Sequence, residues 1–369
     1  MEYQRTLLDL PFEVLDLIFN ELERPIDKLE LAQAHEKLGR AFAYHSRNTY
    51  KRFQPDFLCS CPDLWVVIVQ ECGSTIEEFS TDGKDYSAFS DLLAKSIVQH
   101  CPNLKSVKIH VSGNHCDTVQ SFLLNVSKFL EVVELIFFYN LESNKIFEVV
   151  AKMPNLKKFT CKGNLHVKEV YHIQKMVALE ELRIHFHCLG KIYLPLNIFE
   201  ICAPLTNLHS LRVNSIIIWP SEKPHSMVCP ELEHLEMNNS EIFTELPNCP
   251  KLKTLHMISS KCHIEGLVFG FLQRNGEKIE EIKEDCNPPL FDGDSFLQVL
   301  RSCKKLRAFY TQMRDIETNQ AYVSSIVDVL RENCAKQEEP FRLFICSREK
   351  WKSLRPLIPR NSILELNSF

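Results

Sequence analysis

Cys101-Pro102-Asn103-Leu104-Lys105-Ser106-Val107-Lys108-Ile109 decides how this chain is read. Leu104 is an apolar anchor, and Val107 and Ile109 follow it in alternation with polar residues. Alternation over so short a run marks a half-buried strand, one face in a core and the other in solvent. The same arrangement returns at Met153–Cys161 (Leu156, Phe159, Cys161) and at Cys249–Met257 (Leu252, Leu255, Met257). Working outward, the anchors are Ile76, Leu104, Val132, Leu156, Leu179, Leu208, Leu232, Leu252, Ile279 and Leu306, separated by 20 to 29 residues. A fixed period of this size means one unit stacked many times.

Helical stretches lie between the strands. Ser90–Cys101 opens on a residue suited to an N-cap and carries Leu93, Ile97 and Val98. Asp117–Phe129, Ser143–Met153 and Asp294–Cys303 read the same way, and Ile68-Val-Gln-Glu-Cys72 nearly repeats in Ile97-Val-Gln-His-Cys101. The interval from Leu232 to Leu252 leaves room for a turn or a brief 3₁₀ piece. Strand–helix alternation with right-handed crossovers predicts parallel strands on one curved face and helices on the other. The period is that of leucine-rich repeats. Such repeats usually carry a small polar residue eight places after the anchor. Those positions here are Lys84, Ser112, Asn140, Asn164, His187, Ile216, Ser240, Ser260, Asn287 and Arg314, six of them Asn or Ser. The expected fold is therefore α/β. A short helical block over residues 1–56 precedes a leucine-rich-repeat horseshoe solenoid over 57–346, and a C-terminal cap follows over 347–369.

Composition bounds the rest. Of 369 residues, 45% are hydrophobic and 25% charged, which is ordinary globular usage and argues against disorder. A net charge of −5 argues against a dominant phosphate-binding surface. No apolar run approaches the roughly 20 residues that span a bilayer. The opening Met-Glu-Tyr-Gln-Arg has no apolar signal core behind it, so an intracellular location, cytoplasmic or nuclear, is expected. Fifteen cysteines would then be reduced. Cys72, Cys101, Cys229, Cys249 and Cys303 each sit just before a strand, where small thiols pack well.

The first fifty residues read as three helices. Pro11 suits a first helical turn. Leu15, Ile18, Phe19 and Leu22 then fall on one stripe, and Glu23-Arg24-Pro25 ends the run. Asp27 and Glu30 are spaced as a capping box for a second helix with Leu31, Ala34 and Leu38 inward. A third helix carries Phe42 and ends on Arg47, Lys51 and Arg52. A unit this small has a thin core and needs a partner or a neighbouring domain. A plain reading is the N-terminal cap that a solenoid requires.

Leu10-Pro11-x-Glu13, then Ile18-Phe19 and Leu22, resembles the opening of the F-box, the module by which substrate receptors of SCF ubiquitin ligases dock on their adaptor subunit. The likeness covers about residues 7–50. Ala34 and Leu38 depart from the valine and tryptophan that the family often has. The resemblance implies that Leu10, Pro11, Leu15, Ile18, Phe19 and Leu22 supply adaptor contacts, some of them serving the F-box core instead. It implies an adaptor subunit and, through it, a cullin as partners.

No Gly-x-Gly-x-x-Gly or Walker loop is present among only ten glycines. His185-x-His187 and Cys59-x-Cys61 each lack the further ligands a metal needs. No catalytic residue, cofactor or metal is expected, and what remains is a binding surface. Residues two, four and six after each anchor should face the concave side. Lys158, Lys162, Arg183, His185, Arg212 and His234 would form a cationic groove beside Ile136 and Phe138, suited to an acidic or phosphorylated segment of a target protein. Polar outward residues are also what any curved sheet needs. Two functions fit: a non-catalytic substrate receptor of an SCF-type ligase, or a repeat scaffold whose F-box-like helices are a cap. An enzyme on a repeat frame is a third for which no residues are found.

Overall fold

The computed structural model describes residues 6–55, 62–81, 89–138, 145–186, 195–220, 227–286, 290–313, 319–333, 337–359 and 362–368. The chain divides into two compact units, Met1–Glu169 and Val170–Phe369.

The first unit opens with helices α1 (Phe12–Glu21), α2 (Pro25–Gln33) and α3 (Glu36–Ser46). Pro25 does not merely stop α1. It is the first residue of α2, where its missing N–H is no loss, so α2 starts two residues before Asp27. Leu38 consequently belongs to α3, and Ala34 is exposed. Leu15, Phe19, Leu29, Leu38 and Phe42 are buried between the three helices. A polar relay also joins them. The Lys28 ammonium lies 3.1 Å from His45 Nε2, and His45 Nδ1 lies 2.7 Å from Asp16. The ammonium can only donate, so Nδ1 carries the imidazole proton and donates to the Asp16 carboxylate.

Strands β1 (Arg52–Phe53), β2 (Glu78–Ser80), β3 (Ser106–Val111), β4 (Val132–Phe137) and β5 (Lys158–Gly163) follow, parallel and paired in chain order. Between them run α4 (Pro62–Cys72), α5 (Asp91–His100), α6 (Cys116–Val126) and α7 (Ile146–Val150). The Ser90 side chain accepts from Leu93 N, the expected cap. Leu104 and Leu156 are buried anchors, but Val132 is only half-buried and pairs with Ser106 on the solvent face. The anchor of that repeat is the fully buried Leu130, so the spacing is an even 26 residues from Leu104 to Leu130 to Leu156. A chain of rings ties the three-helix block to the repeats: Phe19–Phe42, Phe42–Tyr50, Tyr50–Phe53 and then Phe53 to Trp65 and Phe79, all with centroids 5.7–6.2 Å apart. Gly39 of α3 lies so close to Glu71 of α4 that a Cβ there would fall 2.3 Å from its carboxylate.

The second unit continues the pattern with β6 (Glu181–Phe186), then β7 (Pro195–Leu196), β8 (Ser210–Asn214), β9 (Ile217–Ile218), β10 (His234–Asn238), β11 (Glu241–Ile242), β12 (Thr254–Ile258) and β13 (Lys261–Cys262). β14 (Glu281–Asp285), β15 (Ala308–Thr311), β16 (Phe341–Ile345) and β17 (Leu364–Ser368) complete it. The main sheet here runs β6-β8-β10-β12-β14-β15-β16-β17, all parallel. A separate four-stranded sheet runs β13-β11-β9-β7. That second sheet is not legible in the sequence, where the short interval after Leu232 reads as a turn. Its strands are two residues each, too short to show a period. Ser215, Asn239 and Ser259 make the corner into it with φ of 60°, 48° and 52°, a left-handed conformation that short polar residues tolerate. Beside the second and third corners sits the expected small polar residue: the buried Ser240 hydroxyl donates to Asn238 O at 2.7 Å, and the Ser260 hydroxyl to Met237 O at 2.9 Å. Ile216, at the equivalent place, is simply buried. Lys84, Asn140, His187, Asn287 and Arg314 lie outside the described residues, as do Cys59 and Cys61. Both units are stacks of parallel strands joined by helices or short strands, consistent with a leucine-rich-repeat solenoid. Among the described residues no helix is long and apolar enough to cross a membrane.

Candidate functional site

Three surfaces carry the residues singled out in the sequence. The first is α1. Leu15 and Phe19 are fully buried, and Phe19 stacks on His45 with centroids 5.6 Å apart. Leu10, Ile18 and Leu22 are half-buried, and Pro11 is exposed. The same helix has a second apolar side that the stripe did not include: Val14 and Leu17 are exposed, Leu17 by 63%, while Phe12, also exposed, lies on the flank toward Tyr44. Leu7, Ile26 and Tyr44 are exposed as well. Phe12 stacks on Tyr44 at 6.3 Å, and the Arg47 guanidinium lies 4.0 Å over the Tyr44 ring. The signal for this second side was present: Val14 and Leu17 are apolar residues left over once the buried stripe is assigned.

The solvent face of β3–β5 is the second surface. Register sets His110, Ile136 and Lys162 side by side. Ile136 and Phe138 are half-buried rather than open, because the His110 ring stacks on Phe138 at 5.4 Å. His110 is in turn held by Thr81, whose hydroxyl accepts from His110 N at 2.8 Å. Lys162 donates to Glu134 at 2.7 Å, and Lys108 stands 3.9 Å from the same carboxylate. Lys158 is exposed at the start of β5.

The third surface is the solvent face of the second unit's main sheet. Arg183 and Arg212 pair in register, as do His185 and Asn214. Arg183 stands 3.9 Å from Glu181, and Arg212 3.5 Å from Glu236. His234 meets the Thr254 hydroxyl at 2.8 Å, and burial, with Glu233 opposing, lowers its pKa. Several of the cations read from the sequence therefore stand beside carboxylates spaced by the same repeat, which reduces the charge they offer a ligand. Further along, Tyr310 and Phe344 stack at 4.1 Å and 7°, with Lys283 Nζ 5.5 Å from the Tyr310 centroid. Burial raises the Tyr310 phenol. Phe344 escaped the sequence reading because its strand is degenerate, although Phe341, Leu343 and Ile345 alternate with it.

The thiols before the strands are packing groups. Cys72, Cys101 and Cys303 are buried, and desolvation raises each to about 12. Cys249 is raised chiefly by donating to Cys229, which that bond lowers. Among the described residues no group of three or more His, Cys, Asp or Glu side chains is arranged to hold a metal ion.

No protein-family profile and no curated protein sequence matches the chain. Solved structures do. A chain of the Rad7–Elc1 complex in yeast aligns with a TM-score of 0.48 at 14% identity, over 96% of this chain and 92% of that one. A chain of the TLR13–ssRNA13 complex gives 0.42 at 14%, over 75% and 40%. A chain of the octameric complex of Latrophilin 3, Unc5D and FLRT2 gives 0.36 at 11%, over 80% and 84%.

Proposed function

We propose that this chain is a non-catalytic substrate receptor of an SCF-type ubiquitin ligase. Residues 1–56 dock the adaptor subunit, and through it a cullin, while the repeats hold a target protein. The observation that supports this reading is the double-sided α1. A helix with one core beneath it needs one apolar stripe. Here Leu15 and Phe19 fill that core, and the exposed Val14 and Leu17, with Pro11 at the N-terminal end, lie away from it as a second apolar side. An uncovered side of this kind marks an interaction surface. The receptor carries out no bond chemistry. It raises the effective concentration of target lysines near the ubiquitin donor, and the ring chain through Phe53 favours a fixed geometry between docking helices and repeats.

A second reading has its own observation. The packing of Gly39 against Glu71, and of Phe53 against Phe79, is what a cap on the first repeat does. A scaffold without ligase function would need only that inner side. Co-purification separates the two: the chain mixed with adaptor and cullin should elute with both from a sizing column. Elution alone, with folded chain, would leave the scaffold.

A further inference from the structure

On the first unit, a recess of about 330 Å³ opens where β3, β4 and β5 begin. Pro102, Leu104 and Phe129 line it, and Lys105, Lys128, Lys157 and Glu131 stand around it. Its volume lies at the small end of the range for ligand pockets, about 300–1,000 Å³. The strands set the rim. Lys105 N donates to Glu77 O, Glu131 N to Lys105 O and Lys157 N to Glu131 O, so these side chains leave successive repeats in one row. Glu131 is taken by Lys157 at 3.6 Å, and Glu77, the next carboxylate in the row, by Lys51 at 3.2 Å. Among the described residues neither Lys105 nor Lys128 forms an ion pair.

Lys128 follows the C-terminal end of α6, where a cation suits the helix dipole. The dipole does not account for Phe129 beside it, which is 52% exposed. An aromatic ring kept in water next to two uncompensated ammonium groups is what a docking pocket looks like before its ligand arrives.

We propose that this recess binds an acidic segment of a partner protein, which inserts one apolar side chain against Phe129 and Pro102 and sets its flanking carboxylates on Lys105 and Lys128. Charge complementarity fixes the occupant: three lysines face one glutamate at the rim, in a chain whose overall charge is −5. Pro102 and Phe129 give the recess an apolar wall and Asn103 and Asn155 line it too, so one apolar side chain flanked by polar and acidic residues suits it. The site is distinct from α1 and does not depend on the adaptor reading.

The test uses the full chain and a fluorescein-labelled peptide with one phenylalanine among aspartates and glutamates, read by anisotropy. Wild type should bind it saturably, and more weakly as salt screens the lysines. The Lys105→Ala, Lys128→Ala double variant and the Phe129→Ser variant should each raise Kd by about tenfold or more. All three substitutions are at exposed positions, and circular dichroism confirms folding. A peptide with lysines in place of the acids should not bind. Equal affinity in the variants, equal binding of the basic peptide, tighter binding of an oligothymidine strand, or no saturation by about 1 mM peptide overturns the proposal.

Discussion

Phe53→Ala is the most informative single change. Phe53 is 1% exposed, and its ring meets Tyr50 at 6.2 Å, Trp65 at 6.0 Å and Phe79 at 6.1 Å. Tyr50 belongs to the end of the three-helix block, Trp65 to α4 and Phe79 to β2, so one ring bridges three elements. Phe→Ala in a core costs about 3–5 kcal/mol. Each ring pair adds about 0.5–1.5 kcal/mol beyond buried area, which places this site in the upper half of that range. Phe53→Leu keeps most of the volume and should cost roughly half as much. Against a typical stability of about 5–15 kcal/mol, the Ala variant should show a large fall in the urea midpoint. Hydrogen exchange read by mass spectrometry should show α1–α3 and α4 losing protection together, because the ring couples them. A loss below about 1 kcal/mol, or helices that exchange independently of α4 in wild type, would refute the coupling.

Gly163→Ala should destabilise by at least about 1–3 kcal/mol from the backbone alone. Its φ is +119°, and a Cβ there would stand 1.9 Å from Phe137 O; an unchanged melting temperature contradicts this. Glu284 is buried, and desolvation raises its pKa above 4.5 despite the bonds it accepts from Thr311, Leu290 N and Cys286 N. Its folded form therefore holds a proton that the unfolded chain has released. Its stabilising contribution is present below about pH 4.5 and declines as pH rises through the raised value. Wild type should lose stability relative to Glu284→Gln over that rise, and parallel pH profiles would disprove it. The thiols of Cys72, Cys101 and Cys303, each raised to about 12 by burial, should resist a thiol reagent at pH 8 until the protein unfolds. Rapid labelling of all three in native protein would contradict their placement.

What the sequence made legible follows from period. The anchors Ile76, Leu104, Leu156, Leu179, Leu208, Leu232, Leu252, Ile279 and Leu306 are all buried, because each sits at the one place in its repeat where the chain turns into the core. Val132 misled because three apolar residues, Leu130, Val132 and Val133, compete for one anchor, and only pairing with Ser106 shows which faces out. The second sheet was illegible because Ile217–Ile218 or Glu241–Ile242 is too short to alternate. On the candidate surfaces, residue type and face were legible, but pairing was not. Lys162 with Glu134, and Arg212 with Glu236, lie 28 and 24 positions apart in the chain. On α1 a stripe rule finds the buried side first, and Val14 and Leu17 are left over as apolar residues whose exposure the structure then shows.

The measurement that reaches the central claim most directly is calorimetric titration of the SCF adaptor subunit into wild type and into Leu17→Asp. Leu17 is 63% exposed, so the substitution leaves the core of α1 intact. The account predicts saturable binding by wild type and a loss of about tenfold or more in a variant with an unchanged melting temperature. Identical binding by the two proteins, or none by wild type, would contradict it.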